Sequence, residues 1–232
     1  MGAKSKLEYS KSTKPTLNQQ AYNKIKEAII YCEIKPGTWI SENGLSESLN
    51  MSRTPVREAL KMLANEGFVE IKNGLGVFVK DVSMKDLIDL FKVRENLECM
   101  AIESSLKFIT KEDIKTHKNI WENILKRIKN KEIIDNREIS KYDNMLHGLF
   151  IEKCGNSYIK SIMRNINQLI LRYQMISVMA LDDVEDTVKR HLEIIELLEK
   201  KDGANLSRLL REHIHSSASI IKENNIEIFE GF

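Results

Sequence analysis

The chain has 232 residues with a formal net charge of +2, and is 42% hydrophobic against 30% charged; this leaves room for one or two domains and excludes disordered and membrane compositions. Ten Gly and three Pro argue against a loop-rich all-β fold. Residues 1–80 carry 12 basic and 8 acidic side chains and the remainder 24 and 26, so only the first third is expected to meet a polyanion.

Residues 1–16 are polar, lysine-dotted and without periodicity, and read as a mobile arm. From Leu17 a helix is expected, with Tyr22, Ile25, Ile29 and Cys32 on one face, ended by the turn Lys35-Pro36-Gly37. A short helix capped by Ser41 follows, with Leu45 and Leu49 inward. Ser52 then suits an N-cap and Pro55 a first turn. Val56, Ala59, Leu60 and Leu63 form the core face of that third helix, while Arg53, Arg57 and Lys61 recur every four residues on another. Gly67 closes it. Two β-rich runs, 68–72 and 77–80, flank Asn73-Gly74-Leu75-Gly76 and read as a hairpin whose loop needs positive φ.

Beyond Asp81 the pattern is helical throughout, over roughly 84–108, 111–130, 136–153, 157–180, 184–200 and 204–223. The breaks fall at Thr110, Lys131-Glu132, Gly155-Asn156, Asp182-Asp183 and Asp202-Gly203. The expected fold is mainly α: a winged helix-turn-helix over 17–80 and an all-α antiparallel helical bundle over 81–232. Cys32, Cys99 and Cys154 form no CxxC pair, sit in apolar helical stretches and read as reduced core thiols. No stretch approaches 18 apolar residues and the first 15 lack a signal-peptide core, so a cytoplasmic protein with no membrane partner is expected.

The third helix carries the case for DNA. Arginine grips guanine O6/N7 bidentately, and Arg53 and Arg57 lie one turn apart at the helix start. Ser52 and Thr54 are short donors suited to phosphate oxygens, and Asn73-Gly74 makes a hairpin tip small enough for a minor groove. Taken alone, such basic spacing equally describes a solvated face.

Residues 17–80 resemble the DNA-binding domain of GntR-type transcriptional regulators through Leu45-Ser46-Glu47-Ser48-Leu49-Asn50-Met51-Ser52-Arg53-Thr54-Pro55-Val56-Arg57-Glu58-Ala59-Leu60, Glu66-Gly67 and Gly74-Leu75-Gly76-Val77-Phe78-Val79. The resemblance implies binding to double-stranded operator DNA as a homodimer, through Arg53 and Arg57 with Thr54 and the Asn73-Gly74 wing assisting. The chain departs from the pattern at Asn43, where members often carry a basic residue.

Four polar residues interrupt the apolar stripes of the helical part. Asp143 and His147 are i, i+4 on one face; His191 sits among Val184, Val188, Ile195 and Leu198; His213 follows Leu206 and Leu210. Buried imidazoles and carboxylates must be paired or coordinate something. Three imidazoles with one carboxylate suit Zn²⁺, Ni²⁺ or Mn²⁺ better than Mg²⁺ or Ca²⁺. The rival reading is a set of hydrogen-bonded core histidines. His117 and His215 lack such placement and read as surface residues.

Residues 83–223 are similar to the FCD effector domain of the FadR-type branch of these regulators, through Arg94-Glu95-Asn96-Leu97-Glu98, Ala101, Tyr142-Asp143-Asn144-Met145-Leu146-His147, His191 and Glu212-His213-Ile214. The resemblance implies a divalent metal on Asp143, His147, His191 and His213, and a small organic-acid effector at or near it. Arg94 is then a candidate carboxylate clamp, against a surface salt bridge with Glu98 at i+4. The branch's namesake binds acyl-CoA without this metal set, which argues against that effector here. Two alternatives stand beside the acid sensor: a regulator for which the metal is itself the signal, and a metalloenzyme, for which no general base shares a face with the ligands.

Overall fold

The structure is a computed structural model that describes residues 15–179, 181 and 184–223, without the side chains of 221–223. Residues 1–14 of the expected arm, and the expected break at Asp182-Asp183, lie outside the described residues. The chain divides into two compact units: residues up to Ala28 with Thr38–Lys80, and Ile29–Gly37 with the residues from Asp81 onward.

The first unit holds α1 (Leu17–Ile30, whose last two residues group with the second unit), β1 (Trp39–Ile40), α2 (Glu42–Leu49), α3 (Arg53–Asn65), β2 (Val69–Lys72) and β3 (Gly76–Val79). The expected core face of α3 is realised, with Val56, Ala59, Leu60 and Leu63 all at most 1% exposed. Ala21, Ile25, Phe68 and Val69 are buried in the same unit. Leu45 and Leu49 are only half-buried, and Ser46 is the buried residue of α2, its hydroxyl donating to the Glu42 carbonyl. Tyr22 is also half-buried rather than core, because its hydroxyl reaches the Glu66 carboxylate at the end of α3.

The sheet is antiparallel in the order β1-β3-β2, with Val69 opposite Val79 and Trp39 opposite Phe78. The strand Trp39–Ile40 is absent from the sequence expectation: two residues carry no periodicity, and only the pairing with β3 defines them. It explains Gly76, whose φ is +108° and where a Cβ would stand 2.6 Å from Trp39 Nε1.

The second unit is built of α4 (Met84–Ser105), α5 (Lys111–Lys129), α6 (Asn136–Lys153), α7 (Ser157–Met179), α8 (Glu185–Lys200) and α9 (Gly203–Glu223). α4 packs on α6, α7 and α9, and α5 on α8. Their breaks have local causes. Thr110 and Asp113 form a reciprocal capping box at the start of α5. Lys131 and Lys201 take the left-handed conformation at helix ends. Asn156 Oδ1 accepts from the amides of Tyr158 and Ile159. Gly203 is not the terminator expected of it; it opens α9, where a Cβ would stand 2.9 Å from Leu106 Cδ1. Cys32 likewise lies past the end of α1 in the left-handed region, and Cys154 at the C-cap of α6, so neither is a mid-helix thiol. Among the described residues no helix is long and apolar enough to cross a membrane.

Candidate metal centre and nucleic-acid interface

Asp143 and His147 project from α6, His191 from α8 and His213 from α9, and all four side chains are buried. One ligand atom from each lies within 4.8 Å of the others. His191 Nε2 is 2.8 Å and His213 Nε2 3.2 Å from Asp143 Oδ1, while His147 Nε2 stands 3.7 Å away with no hydrogen-bond partner.

The far sides of the rings decide their tautomers. His191 Nδ1 lies 2.7 Å from the Thr187 carbonyl, which can only accept, so Nδ1 carries the proton and Nε2 presents a lone pair. That lone pair faces a carboxylate oxygen at hydrogen-bond distance, an arrangement that is repulsive unless a proton or a metal cation lies between them. His147 Nδ1 meets the Glu98 carboxylate in the same way, again turning Nε2 inward. Trp121 stacks on His191 at 3.9 Å between centroids and fixes its ring.

The other oxygen of Asp143 is occupied: the Gln174 amide donates to Oδ2, and Arg94 Nη2 is 3.6 Å from it. Burial disfavours the Asp143 charge, but the surrounding His147, His191 and His213 rings outweigh it and hold the carboxyl well below the carboxylate range. Burial also pushes His213 down to about 4, partly opposed by its hydrogen bond to Asp143. Three imidazoles and one carboxylate, with an unpartnered buried nitrogen among them, fit a borderline divalent cation.

Arg94 lies elsewhere than on the helix surface. It is 2% exposed, its Nε donates to Glu98 at 2.7 Å, and its fork is consumed by Glu98 and Asp143. The i, i+4 pair with Glu98 therefore exists, but inside the core, where it braces Asp143 and His147. His117 is also buried rather than surface, its Nδ1 without a partner in the described structure. His215 is exposed and faces the Glu95 carboxylate. Glu98 enters the sequence reading only as the i+4 partner of Arg94 and Gln174 not at all: a single helix shows neither the contact of Glu98 with His147 nor that of Gln174 with Asp143.

In the first unit, Arg53, Thr54 and Arg57 lie exposed along the first turns of α3. Ser52 takes the extended N-cap backbone, but its side chain makes no capping hydrogen bond, contrary to the role expected of it within the helix. Arg57 donates to Glu42 of α2 at 2.8 and 3.1 Å, so its guanidinium is held in one direction. Asn73 and Gly74 form the exposed hairpin tip, closed by the Leu75 amide on the Lys72 carbonyl and by Gly74 at φ +76°.

Three helices with a small antiparallel wing, joined to an all-helical unit that buries a His/Asp centre, define a winged helix-turn-helix regulator with a separate helical domain. Residues 17–79 match the model of the bacterial regulatory proteins of the gntR family, and residues 89–216 that of the FCD domain. The chain belongs to the GntR family of transcriptional regulators, in its FCD-bearing form. It is 27% identical over 208 residues to the HTH-type transcriptional repressor RspR of Escherichia coli K12, covering 89% of this chain and 90% of that one. It is 28% identical over 185 residues to the gluconate operon transcriptional repressor of Bacillus subtilis, covering 78% and 74%. The solved structure of E. coli McbR/YncC superposes with a TM-score of 0.76 at 19% identity, over 91% of this chain and all of that one, which shows a shared fold. These families and relatives are transcriptional regulators, not enzymes, which removes the metalloenzyme alternative.

Proposed function

We propose that this DNA-binding regulator is a cytoplasmic homodimer whose operator affinity is set by a small organic acid bound at or near a divalent metal. Asp143, His147, His191 and His213 would hold the metal, with Zn²⁺, Ni²⁺ or Mn²⁺ suited to the donor set. The observation that carries this reading is the convergence of three imidazole Nε2 atoms on one carboxylate oxygen in a buried site. Bound there, the metal supplies an acceptor for a carboxylate oxygen. The protein's own part is to orient the His191 and His147 rings through Thr187, Glu98 and Trp121.

In this reading the first unit binds the operator through Arg53 and Arg57 at base edges, with Ser52 and Thr54 on phosphates and Asn73 and Gly74 at the wing tip. The uncapped Ser52 hydroxyl and the exposed Arg53 and Thr54 support those assignments. Two copies would place two recognition helices on a palindromic site. The acid shifts operator binding only through a difference in its affinity for the two states of the protein.

Thermal stability of EDTA-stripped protein, across divalent metals with and without C2–C6 carboxylates, tests the reading, because a ligand of the native state raises Tm by mass action. A carboxylate shift that requires metal and disappears in His191→Ala is the expected result. A metal shift with no acid shift favours the metal as the signal. No shift from either makes the histidines ordinary core residues.

A further inference from the structure

The α7 helix carries a polar stripe that the ligand set does not use. Lys160, Arg164, Asn167 and Gln168 recur at i, i+4, i+7 and i+8, on one helical face. That face lines a cavity of about 190 Å³. Across it α6 presents Asn144 and His147, so the same space reaches the rim of the candidate metal centre. Further along α7, Gln174 holds Asp143, which ties the stripe to the centre at its inner end.

The cations of this cavity are not equivalent. Arg94 is spent on Glu98 and Asp143. Lys160 Nζ donates to the Glu152 carbonyl at 2.5 Å and lies 3.6 Å from the carboxylate of the same residue. Arg164, on the same wall, forms no ion pair among the described residues. A guanidinium without a carboxylate is a ready fork for an oxyanion. Beside the apolar Ile151, Met163 and Ile170, the cavity is lined by three carboxamides, Asn144, Asn167 and Gln168, each offering both donors and an acceptor. They match hydroxyl groups; an aliphatic ligand would strip water from them and return no hydrogen bond.

Resting on the reading that an acid docks at the His147 end, we propose that the ligand is a small hydroxylated diacid. One carboxylate lies at the metal centre, the second on Arg164, and the hydroxyls between them on Asn144, Asn167 and Gln168. Arg164, not Arg94, is then the residue that selects the ligand class.

Calorimetric titration of the full-length, zinc-loaded protein tests this with two length-matched series. The six-carbon series is glucarate, gluconate and adipate; the four-carbon series is tartrate, threonate and succinate. In at least one series the hydroxylated diacid should bind tenfold or more tightly than both its monoacid and its unhydroxylated diacid. Arg164→Gln should abolish the advantage over the monoacid while leaving monoacid binding within twofold, and Arg164→Lys should retain most of it. Monoacid binding equal to or tighter than diacid binding in both series overturns the inference and leaves the acid-sensor reading intact. So does an Arg164→Gln variant that weakens both classes alike. If zinc binds but no acid does, the acid-sensor reading fails and this inference falls with it.

Discussion

The buried charges of the second unit are the residues on which most depends. Arg94 and Glu98 are both at most 2% exposed and 2.7 Å apart, and each also serves a ligand of the centre. Removing one partner strands the other charge in a dry core. Glu98→Ala should therefore cost about 3–5 kcal/mol in chemical denaturation, whereas a surface pair such as Lys85–Asp89 should lose less than about 1 kcal/mol when broken. A small loss at Glu98 would mean that the pair is hydrated and does not brace His147. At the DNA face, Arg57→Ala should weaken specific operator binding by about 1–3 kcal/mol and relax discrimination at one base position. Unchanged discrimination in a binding titration would remove Arg57 from base reading. Gly76→Ala combines a positive φ with a collision against Trp39, and should destabilise the wing by more than about 1 kcal/mol.

At the scale of elements, the start of α5 shows what a local motif contributes. Thr110 and Asp113 cap each other's backbone, and Lys153 of α6 bonds the Asp113 carboxylate at 2.8 Å. Lys153 and the Thr110 amide together lower the Asp113 pKa to about 2. A carboxyl with a depressed folded-state pKa stabilises the fold above its ordinary range and loses that contribution as pH falls. The stability gap between wild type and Asp113→Asn should thus be full at pH 7 and close between about pH 4 and pH 2; a gap that persists at pH 2 would contradict the assignment. Thr110→Ala should cost about 1 kcal/mol by the same measurement.

The six helices of this unit were legible from apolar spacing because each buries one stripe, as Val188, Ile195 and Leu198 do around His191. The buried Asp/His cluster was legible for the same reason: a histidine in such a stripe breaks a pattern. What stayed hidden depends on partners distant in the chain. β1 exists only against β3, Arg94 reads as surface until α6 covers it, and Gln174 looks like one polar residue in a long helix until Asp143 is brought beside it. His117 sits on the buried stripe of Ile114, Trp121 and Ile124 in α5, so the spacing argument that picks out His191 applies to it equally, and the surface reading of His117 is incorrect.

In the whole molecule a GntR-type DNA-binding unit is joined to a helical FCD unit that buries the Asp143/His cluster. Operator affinity should fall steeply with salt; with 6–10 phosphate contacts the expected loss is about 10³–10⁵ between 50 and 200 mM. Stripping the metal with EDTA should lower Tm, and re-addition of one of the suited metals should restore it. The central claim is that the buried Asp143/His centre controls DNA binding through an acid. The most direct test titrates the DNA fragment selected by the protein from a random pool, using metal-loaded protein with and without the acid that raises its Tm. At least a tenfold change in affinity with acid is expected, absent in EDTA-stripped protein and in His191→Ala. The same affinity in all of these states would contradict it.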